Sequence, residues 1–385
     1  MMPENQKIPL SGDRFTVDYR LTGTEGECVK LVDSLRYEQT VEFPPDLVPP
    51  GDIRDQIVGR LESFRPSGPG KFTAGISYAV ELTGFQFVQF LNVIFGNCSL
   101  FPGVRITGLE LPESLLSRFE GPRFGRRGLR ERFGAQGRPL LTTAIKPQGM
   151  SSRELADQTY QFALGGIDII KDDHGLCDQP FSPFRERVEL CSAAVDRANR
   201  ETGFRSVYMP SVNGPADQVE AWCRFAAQAG AGGLLVSPGL LGWDTLRLLA
   251  GSGGPGLPVM CHPTFLGSFV TSPDNGISHG VLFGTLSRLA GADLTVFPNY
   301  GGRFSFSREE CREIADATAA PLGNLADSFP APGGGMTSER IPEIVEFYRG
   351  EVALLVGGGL HRGEEPLPVR CLAIRKSLEG KANLS

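Results

Sequence analysis

The sequence predicts an α/β protein: a C-terminal (β/α)8 TIM barrel over residues 136–385, preceded by a smaller ferredoxin-like α+β domain over residues 1–135. Three observations carry this expectation. From Arg138 onward, short apolar runs alternate eight times with amphipathic helical stretches, the pattern of parallel strand–helix units. Each apolar run ends in a Gly, Pro or polar cluster, as strand-to-helix joints do. Upstream of Arg138 the alternation is absent. An open doubly wound sheet is the alternative, but it usually has fewer repeats.

In the first domain, Phe15–Leu21 alternates like a strand, and Ser34–Phe43 reads as a second one. Pro44, Pro45, Pro49 and Pro50 break the chain after it. Further apolar stretches lie at 72–82 and 85–95, and the Arg/Gly-rich stretch Arg123–Gly137 reads as a connector. The barrel strands are expected at Leu140–Ile145, Ile167–Lys171, Ser206–Met209, Gly233–Val236, Pro258–Cys261, Asp293–Phe297, Asn324–Phe329 and Val352–Val356. Helices fall between them, among them Ser152–Leu164, Arg185–Arg200 and Ala216–Ala229.

Composition excludes several classes of function. The chain is 41% hydrophobic and 21% charged, enough apolar residues for a large core and too many for global disorder. A net charge of −6 without a basic block argues against a nucleic-acid surface. No apolar run approaches the ~20 residues of a bilayer span, and no signal-peptide pattern opens the chain. The eight cysteines form no CxxC pair and read as reduced thiols of a cytoplasmic protein.

Functional residues of such a barrel lie at the C-terminal ends of its strands. There the sequence places Lys146, Lys171, Asp172, Asp173, His174, Asn213, His262 and Asn299, with glycine clusters after the last two strands. The sharpest cluster is Gly165-Gly-Ile-Asp-Ile-Ile-Lys-Asp-Asp-His174. With a side-chain period of two, Lys171 and Asp173 share a face and Asp172 points away. These residues form either a structural ion pair or a metal site. In the second case carbon dioxide converts the lysine to a carbamate, which with a carboxylate supplies the oxygen donors that Mg2+ needs. In Thr143-Ala-Ile-Lys-Pro147, Lys146 ends the neighbouring strand and is either solvated or a proton donor and acceptor. Gly333-Gly334-Gly335 and Gly357-Gly358-Gly359 follow the last two strands, where barrels often bind phosphate through backbone N–H groups. His262 is expected to face the mouth, His279 to cap or pack a helix, and His361 to line the last glycine loop.

Together these motifs resemble the RuBisCO superfamily. GGIDIIKDDH resembles its GGLDFTKDDE motif and Ile145-Lys146-Pro147 its TIKPK motif. Phe119-Glu-Gly-Pro-Arg-Phe-Gly125, Ser278-His279-Gly280, Gly357-Gly358-Gly359 and Glu38-Gln39-Thr40 also fit. The resemblance implies Lys171 as the carbamate, Asp173 as a Mg2+ ligand, Lys146 as the acid/base, and Gly335, Gly357 and Gly358 as phosphate holders. It puts His262 at an active-site histidine. It also implies a homodimer or higher homo-oligomer with shared active sites, in which Glu38 reaches the neighbouring subunit.

The departures from that pattern point to a RuBisCO-like, form IV protein without carboxylase activity. The third metal ligand is His174 instead of glutamate, so it would bind a softer ion or act as a base. Pro263 and Gly333 replace an arginine and a serine that hold a second phosphate, implying a monophosphate substrate. Gln148 replaces the second lysine of TIKPK. The mobile loop Pro298–Phe304 lacks the lysine that polarises carbon dioxide, leaving Arg303 as the one candidate to stand in. The expected reaction is metal-assisted enolisation of a phosphorylated keto-sugar or keto-sugar acid, leaning to decarboxylation of a branched 3-keto sugar-acid phosphate. In that reading Arg303 or His174 seats the substrate carboxylate. The alternatives are an isomerase or enolase of methylthio-pentulose phosphate in methionine salvage, and a non-catalytic binding or regulatory protein on the same scaffold. A true carboxylase is a further option that the loop disfavours.

Overall fold

Strand β1 (Arg14–Thr22) buries Phe15, Val17, Tyr19 and Leu21, one face of a pleated strand. Helix α1 (Glu25–Glu38) follows because Thr24 and Glu27 form a reciprocal capping box and Cys28, Val32 and Leu35 make a buried stripe at helical spacing. The strand expected at Ser34–Phe43 is therefore corrected: Ser34–Glu38 form the end of this helix. Strands β2 (Arg60–Gly68) and β3 (Lys71–Ala79), helix α2 (Phe87–Phe95) and strand β4 (Val104–Glu110) complete a β-α-β-β-α-β unit. Its strands are ordered β4-β1-β3-β2 with antiparallel neighbours, the ferredoxin-like arrangement. The computed structural model describes residues 7–304 and 306–382, with side chains described through Glu379.

The second unit is built on strands β5 (Leu140–Ile145), β6 (Ile169–Asp172), β7 (Val207–Met209), β8 (Leu234–Val236) and β9 (Val259–Cys261). Next comes β10 (Gly276–Ile277), which pairs parallel to β4 in the first sheet. Strands β11 (Leu294–Pro298), β12 (Phe329–Gly333) and β13 (Ala353–Leu355) finish the barrel. Its eight strands run β7-β6-β5-β13-β12-β11-β9-β8, with every paired neighbour parallel. The barrel closes between β7 and β8 through Gly232 N–H to Tyr208 O (2.9 Å) and Leu235 N–H to Pro210 O (2.9 Å). Each strand sends a residue into one core: Leu140, Ile169, Met209, Leu235, Met260, Leu294, Phe329 and Ala353.

Two further expectations are corrected. Arg123–Gly137 is not a connector, since it holds the helix Gly125–Phe133, whose Leu129 and Phe133 pack into the barrel core. The contacts divide the chain into two units at Phe119/Glu120, and the first unit also takes in Leu266–Leu282 and Pro321–Leu325. The seventh barrel strand is Phe329–Gly333, not Asn324–Phe329. Pro330 and Pro332 disguise it, because proline lacks the N–H of a ladder residue. The strand tolerates them because bonds toward β11 involve Phe329 N–H and Gly333 O. Alternation turns the prolines toward β13, where pairing is confined to Gly333 and Leu355.

The helices Ser152–Leu164, Phe184–Thr202 and Val219–Gln228 stand where helices are expected. Among the described residues, no helix is long and apolar enough to cross a membrane.

Candidate active site

The parallel register of β5 and β6 pairs Ala144 with Lys171 and Ile145 with Asp172. The next residues along, Lys146 and Asp173, meet at the strand ends, with Nζ 3.0 Å from Oδ2. The Lys146 backbone is held from behind by Gln158 of the helix Ser152–Leu164. Lys146 N–H donates to Gln158 Oε1 (2.8 Å), and Gln158 Nε2 donates to Lys146 O (2.8 Å).

Lys171 is buried, and its Nζ donates to the backbone oxygen of Asp172 (2.9 Å). Burial pushes its pKa down to about 8, with help from the Lys146 charge and against the pull of Asp173 and Asp172. Asp172 points away, as the strand period requires, and is fully buried. It accepts from Arg187 Nε (3.2 Å), Tyr208 OH (2.5 Å) and Ser211 N–H (3.0 Å). Asp173 accepts from Gly175 N–H (3.1 Å). Burial alone would raise its pKa, but this hydrogen bond and Lys146 hold the carboxyl below its ordinary value.

His174 Nδ1 lies 3.3 Å from Asp173 Oδ1. Its ring stacks on His262, with centroids 4.8 Å apart and an interplanar angle of 13°. His262 Nδ1 accepts from Thr264 N–H (3.3 Å) and lies 2.7 Å from Thr264 Oγ1. That acceptor role leaves the ring proton on Nε2. Burial, then the charges of Lys171, His174 and Lys146, hold the His262 pKa well below its ordinary value, so the ring is neutral. The His174 pKa is also lowered, first by burial; Asp173 opposes the shift, and Lys171, Lys146 and Arg303 add to it.

The glycine loops extend from β12 and β13. Gly335 has φ +65°, a conformation that excludes most side chains. A Cβ on Gly357 or Gly358 would meet no protein atom within 4 Å. Packing therefore gives no reason for glycine there, and the open space suits a ligand. Arg303 is exposed, with its guanidinium carbon 4.9 Å from the centroid of the Phe304 ring. Asn299, at the end of β11, is fully buried.

The strand ends thus bring Lys146, Lys171, Asp173, His174 and His262 together. Gln148, in place of a second lysine, is a tether: its Nε2 donates to Gly175 O (2.9 Å). Among the described residues, no three His, Cys, Asp or Glu side chains converge to hold a metal. Asp173 and His174 supply two donors, and the third group in the corner is the Lys171 amine. His361 packs edge-on against Phe162 (5.7 Å), and His279 is buried in the first unit. Glu38, also in the first unit, accepts from Asn97 Nδ2 (2.9 Å). All eight cysteines are free. Gln158, Thr264, Arg187 and Tyr208 were not visible as site residues in the sequence, because no local motif marks a side chain that acts by bonding another site residue's backbone, ring or carboxylate.

Residues 126–380 match the family model for the ribulose bisphosphate carboxylase large chain, catalytic domain. The chain is 37% identical to a 5-methylthioribulose-1-phosphate isomerase from Rhodospirillum rubrum, over 96% of this chain and 98% of that one. It is 30% identical to a 2,3-diketo-5-methylthiopentyl-1-phosphate enolase from Exiguobacterium sibiricum, over 95% and 92%. The crystal structure of a Rubisco-like protein from Rhodopseudomonas palustris superposes with a TM-score of 0.86 at 36% identity, covering 95% of this chain and 97% of that one. The barrel, the strand-end lysines and these relatives together make the chain a member of the RuBisCO large-chain family, in its RuBisCO-like branch.

Proposed function

We propose that the protein enolises a keto-pentose monophosphate of the methylthio-pentulose class and returns the proton as an isomerase or enolase. The observation that carries this reading is the Lys146–Asp173 contact of 3.0 Å beside the buried Lys171 amine. It sets a mobile proton carrier next to a group able to become an anionic oxygen donor. A lysine held near pKa 8 is partly neutral at physiological pH, and the neutral amine is the form that adds carbon dioxide. Lys171 as its carbamate, Asp173 and His174 would then hold a divalent cation such as Mg2+. When bound, the ion would polarise the substrate's keto oxygen.

The protein's own groups do the rest. Lys146 Nζ takes the proton from the carbon beside the ketone and returns it. Asp173 holds the resulting ammonium in place between those two transfers. His262 Nε2–H donates to a substrate oxygen, and its neutrality keeps a third cation out of the site. Backbone N–H groups around Gly335, Gly357 and Gly358 take the single phosphate. Pro263 and Gly333 leave the far end uncharged, which favours an apolar tail over a second phosphate. The loop Pro298–Phe304 offers no lysine to a developing carboxylate, so enolisation stops short of carboxylation.

The relatives named as isomerase and enolase move the reading away from decarboxylation. Glu38 is assigned to the neighbouring subunit's site in a homo-oligomer. The test offers purified protein, Mg2+ and bicarbonate with 5-methylthioribulose-1-phosphate in deuterated water, and separately with a 3-keto sugar-acid phosphate. Deuterium incorporation and a new pentulose isomer support the proposal. Carbon dioxide release from the sugar acid would restore the decarboxylase reading. Absence of both would favour a non-catalytic binder.

A further inference from the structure

The resemblance implies a mobile loop after β11, yet in this chain the first part of that loop, Asn299–Gly302, is held. Asn299 N–H donates to Gly333 O (2.8 Å), and its Oδ1 accepts from Tyr348 OH (2.9 Å). The Tyr300 hydroxyl donates to Glu343 Oε1 (3.1 Å), and its ring packs 4.8 Å from Phe347. The central element is Arg340. Its Nη1 donates to Gly335 O (2.9 Å) and Gly301 O (3.3 Å), and its Nη2 to Tyr300 O (3.2 Å). One guanidinium thus spans three carbonyls on two loops. The loops also touch directly: a Cβ on Gly335 would lie 3.0 Å from Gly302 Cα and 3.1 Å from Gly301 O. Glycine is required where the strands of backbone cross this closely.

We infer that Arg340 is a positioning residue that locks the loop 298–304 onto the glycine loop 333–335, making the first a fixed wall of the site instead of a moving lid. Three of its five N–H donors go to these carbonyls, so it acts through the backbone. The lock is a property of the free protein. Its consequence, that an anion seated at Gly335 also steadies residues 299–304, rests on the phosphate reading above.

The experiment is hydrogen exchange followed by mass spectrometry on the full chain, with Arg340→Met and Arg340→Lys. Without ligand, Arg340→Met is expected to speed exchange across 299–304 by about tenfold, while residues 140–145 of the barrel keep their rate. Arg340→Lys is expected to restore little, because an ammonium does not span three carbonyls. Unchanged exchange at 299–304, full rescue by lysine, or equal acceleration at 140–145 overturns the lock. Inorganic phosphate is then added. In the wild type it should protect 333–336 and 299–304 together, and in Arg340→Met only 333–336. Protection of both segments in the variant overturns the coupling. Protection of neither in the wild type sinks the phosphate reading, while the ligand-free comparison still decides the lock.

Discussion

Lys146 Nζ rests 3.0 Å from Asp173 Oδ2, and Gln158 pins the lysine's backbone on both its N–H and its C=O. The amine therefore has one freedom, to swing from its carboxylate toward a bound substrate. Lys146→Met should lower the enolisation rate by about 10²–10⁴-fold, the range for loss of a general acid/base. Divalent-ion affinity should stay near that of the wild type. Solvent-deuterium incorporation into the substrate measures the first and calorimetry the second. Wild-type exchange in the variant would remove Lys146 from the mechanism.

Gly358 offers a cleaner probe of the phosphate subsite, because a Cβ there meets no protein atom within 4 Å. Gly358→Ala should leave stability within about 0.5 kcal/mol, as surface changes do. KM for the phosphorylated substrate should rise by about tenfold, with a smaller effect on kcat, because the lost contact is made by ground state and transition state alike. A fall in kcat at constant KM would place the phosphate elsewhere.

His174 stands where the family carries a glutamate, and imidazole is a poorer partner for Mg2+ than carboxylate. Wild-type protein in bicarbonate should bind Mn2+ or Co2+ more tightly than Mg2+. His174→Glu should narrow that gap by raising Mg2+ affinity about tenfold, an outer-range effect for a changed ligand environment. Titration calorimetry with each ion checks it, and an unchanged gap between the affinities would show that His174 takes no part in holding the ion.

The legible parts of the chain are those whose signal is local. Leu140–Ile145 and the run ending at Lys171 announce themselves as apolar strands, and the period of two turns Lys171 inward and Asp172 away. Phe329–Gly333 is hidden because its two prolines carry a loop signature, and only the one-sided pairing of β12 reconciles them with a strand. Helix α1 is hidden differently: its Thr24/Glu27 box and the spacing of Cys28, Val32 and Leu35 were present, but alternation farther on masked them. The strand-end site was readable from the lysines and Asp173. Gln158, Thr264 and Arg340 were not, since each is recruited by packing from a segment with no motif of its own.

Arg187 and Asp172 form a fully buried pair behind the site, 3.2 Å apart. Arg187 Nη1 also bonds Ser182 O (2.7 Å), and Nη2 bonds Cys177 O (2.7 Å). The guanidinium thus fixes both β6 and the segment that follows it. Arg187→Met would leave the Asp172 charge without its cation, a loss of about 3–5 kcal/mol for a broken buried pair. Urea unfolding measures it. A loss under about 1 kcal/mol would mean that Tyr208 and Ser211 alone satisfy the carboxylate.

Asp293 gives the stability its own pH signature. The residue is 1% exposed and accepts from Phe124 N–H (2.8 Å), Gly125 N–H (2.9 Å) and Val259 N–H (3.0 Å). Burial outweighs these bonds and lifts its pKa from 3.8 to about 6. Between those values the folded chain binds more protons than the unfolded one, so this group's contribution to stability falls as pH rises. A shift of this size corresponds to about 3 kcal/mol, present in full below pH 4 and gone above pH 6. Asp293→Asn does not titrate, and its amide N–H would face a backbone N–H, so it should be less stable at every pH. The stability gap between wild type and variant should therefore widen as pH is lowered from 7 to 4.5. A gap that stays constant, or narrows, would show that the three N–H donors keep Asp293 ionised throughout.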